Sequence, residues 1–392
     1  MKRFVQFGFS SGVALVTCVL AVSGLAMGAT QYVVTNDDVA PEVVNSVTFY
    51  AVGPGGLLTL QQIVQLDGLG IGGGFFGPNR VVALNSAMQR CVYASTPYGG
   101  EIAGVNVNTL KQTSLSAGSK TDGGTSNGIG LAINSRYLYA SFTDSNTIGT
   151  FRVTSGCGLT FINDVTVSGL AGGIVNGMAI QGNMMIATYT DGSIESFGIS
   201  AGTPVSNGDK QYSTATLSSM DATYPNSIDI TRDGHFAIFG DTSTSQVVEV
   251  SDISSGKLTP TVAYRSTAGV SSSNIMLSPD ETILYVVNTQ GDAVSAMFFS
   301  AITGTLSDGC KSGKIRGLSA DWSYLAGLTL ISESGNGGGV FVAEYGAPSG
   351  IASVILTLSG AKCTLKEAEQ SPFADRQSQG LLSISSFPPR SF

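Results

Sequence analysis

A phrase of about 50 residues recurs along the chain, and no other feature narrows the fold as sharply. It opens at Asn79 ("NRVVALNSAMQRCVYAS"), Asn127 ("NGIGLAINSRYLYAS"), Asn176 ("NGMAIQGNMMIATY"), Asn226 ("NSIDITRDGHFAIFG") and Asn274 ("NIMLSPDETILYVVN"), then at Ala326 ("AGLTLISESGNGGGVFVAE") and Gln379 ("QGLLSISSF"). Each unit starts with a short apolar strand that runs into a turn such as "SPDE" or "TRDG", where Pro, Asp and Gly suit a tight reversal. A second strand rich in Tyr, Val, Ile and Ala follows, then a polar corner, "TDSN" at 143–146 or "TQGD" at 289–292. A third, alternating strand ("TIGTFRV", "QVVEVSD", "AVSAMFF") leads through a Gly-bearing turn to a fourth, wetter one. Four strands per unit is the pattern of a propeller blade.

The ends complete the count. "QYVVTND" (31–37) is a second-strand phrase with no first strand before it, and "GLLSISSF" (380–387) is a first strand with no second strand after it. Laid side by side they make one blade from both termini. The expected fold is all-β: a seven-bladed propeller of four-stranded antiparallel blades, one domain over 30–392. The ring is closed by the N-terminal strands plus the C-terminal innermost strand. A lone four-stranded sheet cannot bury both faces, whereas a closed ring of sheets can, and it also pairs the exposed edges.

Composition fits such a chain. Charged residues are 12% and Gly numbers 51, yet hydrophobic residues hold at 42%, enough for a core. Lys2 and Arg3 precede an apolar run from Phe4 to about Leu20, and small residues continue through Ala29. Residues 1–29 therefore read as a signal peptide cleaved after Ala29, and the protein as secreted, periplasmic or in the cell envelope. An uncleaved anchor would use the same apolar run. With 27 acidic against 19 basic residues and no basic run, neither nucleic acid nor anionic lipid is an expected partner. No membrane insertion is expected once the signal is removed. Cys91, Cys157, Cys310 and Cys363 make an even set for two disulfides, with three possible connectivities. Strand order favours Cys91–Cys157, both opposite the mouth of the channel, and puts Cys310 and Cys363 on outer strands of adjacent blades.

"YVVTND" followed by "NSVTFYAVGPGGLLTL" resembles the secreted propellers named for a Tyr-Val-Thr-Asn repeat. "LSPDETILYVVN", with "AVSAMFFSAITGTLS" behind it, is similar to the blade phrase of the seven-bladed lactonase family, the 6-phosphogluconolactonase-like propellers. That resemblance implies hydrolysis of a sugar lactone by polar residues around the mouth of the central channel, with a His beside an Arg and a Glu. This chain has one His, His235, in the turn "TRDGHFAIFG". That turn belongs on the face opposite the mouth.

Strand order also selects candidate site residues. The innermost strand of a blade starts at the mouth, and the corner between second and third strands returns there. Asn79, Arg80, Asn127, Asn176, Asn226 and Asn274 should gather at the mouth. Asp37, Asp38, Asp144, Asp191, Asp241, Asn288 and Glu344 should ring it more widely. Arg80 could polarise a lactone carbonyl or pair with a carboxylate. Glu344 could act as a general base on water or stand solvated at its corner. The asparagines could brace the turns entering the innermost strands. They could instead offer amide oxygens to sugar hydroxyls or to a hard cation such as calcium. No cofactor is expected, and the protein is expected to be a monomer. The single Trp, Trp322, excludes repeated Trp docking motifs. "GLGIGGGFFG" (68–77) precedes no helix, so it reads as a loop over the mouth and not as a phosphate cradle. Two functions remain: a secreted lactonase-like hydrolase, or a non-catalytic propeller that binds a small molecule, glycan, peptide or envelope partner.

Overall fold

Alternate residues of one strand fall into different cores, and this is what builds the ring. In the strand Arg90–Thr96, Cys91 and Tyr93 join one apolar cluster while Val92 and Ala94 join another. Successive side chains of a strand point to opposite faces, so a strand apolar at every position must be covered on both. The computed structural model describes residues 30–39, 41–72, 79–117, 129–213, 225–241, 247–265, 272–316, 324–331, 339–345, 349–360, 362–374 and 383–389.

Those residues form seven antiparallel sheets. Six take their strands in chain order from segments 81–117, 129–166, 175–212, 225–265, 272–311 and 324–374, here blades 1 to 6. Blade 7 joins the two ends of the chain. Tyr32–Asn36 lies between Val44–Val52 and Ser383–Phe387, in register from Tyr32 opposite Phe387 to Asn36 opposite Ser383. The innermost strands pack in sequence, from Val81–Asn85 through Ile129–Ile133, Val175–Gln181, Pro225–Ile230, Ser272–Leu277 and Tyr324–Ile331 to Ser383–Phe387 and back to the first.

The apolar clusters follow the same order. Among the described residues there are seven, one at each junction between neighbouring blades. Phe387 and Val34 meet Val92 on one side of blade 7, and Ile384 and Val33 meet Phe341 on the other. The closing blade is thus packed on both faces like the rest. Arg90 of blade 1 adds a cation–π contact, 4.9 Å from the Phe387 ring centre. Outer strands are wetter: Lys111–Ala117 has no fully buried residue.

Two disulfides clip adjacent blades. Cys91–Cys157 joins blades 1 and 2, and Cys310–Cys363 joins the outer strands of blades 5 and 6. Such bonds are compatible with an extracellular or periplasmic protein. No helix among the described residues is long and apolar enough to cross a membrane.

Candidate functional site

The mouth is where the innermost strands begin, and its polar side chains are mostly spent on the fold. At the seam between blades 7 and 1, the Asn36 amide donates to the carbonyls of Arg80 (3.1 Å) and Ser95 (2.9 Å) and accepts from Asn45 (2.8 Å). Asp37 accepts from Ser46 (2.6 Å), Thr48 (2.7 Å) and Thr35. Arg80 forms an ion pair with Asp38 at 3.1 Å, and both side chains are 0% exposed. Burial pushes the Asp38 carboxyl up, against the opposing pull of the Arg80 guanidinium. Asp38 itself and Asn79, which precedes Arg80, have left-handed backbone, φ 42° and 67°, a conformation Asp and Asn tolerate better than most residues. Arg80 therefore takes the carboxylate-paired place of its two expected ones.

The asparagines divide. Asn176 donates to the Pro225 carbonyl of the next blade at 3.2 Å, and Asn288 to Ser295 Oγ (2.8 Å) and the Ala293 carbonyl (3.2 Å). The Oδ1 atoms of Asn176, Asn226 and Asn288 are buried without a hydrogen-bond partner among the described residues. Asn79 is half-buried, and its carbonyl accepts from Leu131 of blade 2 at 2.9 Å. Asn274 is half-buried. Asn127 lies outside the described residues, as does the side chain of Asp241 and the part of the Gly-rich loop at 73–77. Asp144 is exposed. Asp191 ties down its corner by accepting from the N–H groups of Ala171 (2.7 Å), Gly173 and Ser193 and from Ser193 Oγ (2.6 Å). Burial raises its carboxyl, but these donors outweigh that and hold it below the usual carboxylate range.

Glu344 ends the second strand of blade 6, with its side chain turned toward blade 5 and only 3% exposed. Burial, and then the charge of Glu367, push its carboxyl up to about 8. Glycine at 350 makes room for it, since a Cβ there would fall 2.8 Å from Glu344 Oε2. At neutral pH this group is an acid carrying its proton. It does not stand solvated at its corner.

His235 is exposed on the turn between the first two strands of blade 4, opposite the mouth, 3.1 Å from Asp233. No group of three or more His, Cys, Asp or Glu suited to a metal occurs among the described residues.

A cavity of about 1090 Å³ lies at the other end of the channel. The last residues of the innermost strands line it, Leu84 and Asn85, Ile133, Ile180 and Gln181, Leu330 and Ile331, with the turn at 134–137 and Pro388 and Pro389. Arg136 is its one charged side chain among the described residues. The turn phrases "NSRY" and "QGN" carried this signal, but strand order drew the candidate residues from the opposite end, where the innermost strands begin.

The family model "Lactonase, 7-bladed beta-propeller" matches residues 91–369. The chain belongs to this lactonase family. No protein of curated function matches it. A protein of unknown function from Desulfotomaculum acetoxidans DSM 771 superposes on the lactonase-family chain with a TM-score of 0.62 and 14% identity, over 91% of this chain and 98% of its own. A 6-phosphogluconolactonase candidate from Bacteroides uniformis ATCC 8492 does so at 0.54 and 13%, over 72% and 82%. Hsv2 from Kluyveromyces lactis gives 0.53 and 11%, over 82% and 91%. At these identities the likeness is one of fold, and the same scaffold hosts unrelated functions.

Proposed function

We propose that this lactonase-family propeller is an exported binding protein, which holds a small ligand in the cavity opposite the mouth and does not hydrolyse it. The observation that carries the reading is the contrast in access. Arg80 and Glu344, the two side chains best suited to lactone chemistry, are 0% and 3% exposed, whereas amides, an arginine and a tyrosine line the open cavity. A general base or oxyanion donor has to reach the reacting atoms, within about 3 Å. A cavity of about 1090 Å³ is slightly larger than most small-molecule sites, which run roughly 300–1,000 Å³. The apolar run after Lys2 and Arg3 and the two disulfides support export.

The hydrolytic reading keeps one observation in its favour, the protonated Glu344, which could serve as a general acid. A panel of sugar and acyl lactones, followed by pH-stat with wild type and Glu344→Gln, separates the two. No hydrolysis above the buffer rate is expected. Turnover by wild type that is lost in Glu344→Gln would overturn the binding reading.

A further inference from the structure

The cavity opposite the mouth has an electrostatic character unlike the rest of the molecule. The chain carries 27 acidic and 19 basic residues, a formal net charge of −8. Yet no carboxylate lines this cavity among the described residues, and its single charge is the Arg136 guanidinium. We infer that the cavity binds an amphipathic monocarboxylate, with the carboxylate on Arg136 and an aliphatic body against Ile133, Ile180 and Ile331. This deepens the binding reading above and rests on it.

The backbone around Arg136 is fixed while its side chain is uncommitted. Asn134 Oδ1 accepts from the N–H groups of Arg136 (2.9 Å) and Tyr137 (2.8 Å), a side-chain-closed turn. The Arg136 carbonyl accepts from Val153 N–H at 2.9 Å. Its guanidinium has no hydrogen-bond or ion-pair partner among the described residues, and the residue is exposed. Arg316, by contrast, is bound to Glu367. Tyr137 is held beside it by Gly202, where a Cβ would fall 2.7 Å from the tyrosine ring. Glycine at 202 (φ +91°) thus allows the close approach that fixes this wall.

A planar guanidinium matches a carboxylate with two parallel hydrogen bonds. One cation balances one negative charge. A phosphate dianion would bring a second charge that no described lining residue offsets, inside a protein already negative. Ile133 and Ile180 are only half-buried, so part of their surface faces the open space, and Ile331 lies across the channel on blade 6. That apolar surface would be relieved of water by an aliphatic chain.

Calorimetric titration of the full-length protein with sodium octanoate, 1-octanol and a chito-oligosaccharide tests the inference, using wild type, Arg136→Gln and Arg152→Gln. Arg152 is exposed on the same blade outside the cavity and serves as the control. Octanoate should bind wild type and Arg152→Gln alike and weaken about tenfold or more in Arg136→Gln, as expected for losing a charge-assisted hydrogen bond. Octanol should bind both variants equally. Failure of octanoate to bind at millimolar concentration, or equal binding by Arg136→Gln, overturns the inference. Chito-oligosaccharide binding without octanoate binding overturns it too, but leaves the binding reading intact. Lactone turnover would instead remove the binding reading itself.

Discussion

The two ends of one strand behave differently. Val175–Gln181 begins at the mouth, where Asn176 is 6% exposed and spends its amide on the neighbouring blade. It ends at the cavity, where Gln181 donates to the Arg232 carbonyl at 2.7 Å yet still lines open space. The same contrast separates Arg80 from Arg136. One is sealed against Asp38, and the other points its charge at nothing the described residues supply. At the mouth the Asn36, Asp37 and Arg80 side chains and the Asn176 amide N–H hold blades together, while the amide oxygens of Asn176, Asn226 and Asn288 stay unpartnered among the described residues. At the far end Gln181 and Asn134 are also spent on backbone groups, while the Arg136 side chain stays available beside the cavity. Position on a propeller strand therefore does not decide function; what has already been hydrogen-bonded does.

The sharpest way to break this comparison is to remove the sealed cation. Arg80→Ala leaves Asp38 buried and unpaired, and should lower unfolding free energy by about 3–5 kcal/mol, read by urea denaturation. Arg80→Met with Asp38→Leu should recover most of that loss, because an apolar pair of similar volume carries no stranded charge. Loss below about 1 kcal/mol in Arg80→Ala would mean that the mouth is wet, and would return Arg80 to the candidate catalytic set. At the far end, the Cys91–Cys157 bond encloses a sequence separation of 66 and clips two blades beside the cavity. Cys91→Ser with Cys157→Ser should cost about 2–4 kcal/mol. The same change should weaken binding in the cavity without altering the stability increment of the Arg80–Asp38 pair, since the two lie at opposite ends of blade 1.

Glu344 tests the mouth through pH. Its carboxyl is held at about 8, above its ordinary value of 4.5. Below pH 4.5 both folded and unfolded chains keep the proton, and the group costs nothing. As pH rises toward 8 the unfolded chain ionises while the folded one does not, so stability is lost across that window and levels off above it. Melting temperature measured from pH 4.5 to 9 should therefore fall for wild type and be flatter in Glu344→Gln, with a gain for the variant of about 4 kcal/mol at pH 8. Parallel profiles would place Glu344 in water.

Most of the fold was legible because it is written in apolar periodicity. "YVVTND" and "LLSISSF" could be read as the two halves of one blade, since each is half of a phrase seen complete elsewhere. The Cys91–Cys157 pair was legible for the same reason, both residues falling at one end of neighbouring blades. The site was not. Strand order can say that Arg80 starts an innermost strand, but not that Asp38, on a different segment, folds over it. Asp38 reaches Arg80 only because blade 7 is assembled from both termini, which makes the pairing a tertiary fact. The cavity was missed for a related reason. "NSRY" reads as a turn, and it is one; that its arginine faces a cavity with no carboxylate among the described residues depends on what the turns of the other blades carry.

The smallest expected effect is the most discriminating. Arg136→Gln removes an exposed side chain with no partner among the described residues, so unfolding free energy should change by no more than about 0.5 kcal/mol. Set beside Arg80→Ala, it asks whether two arginines of one protein differ by several kcal/mol because one is sealed in a seam and the other is not. A loss of 2 kcal/mol or more in Arg136→Gln would show that Arg136 is anchored in the fold. The cavity would then lose its free charge, and the two ends of the channel would differ in shape alone.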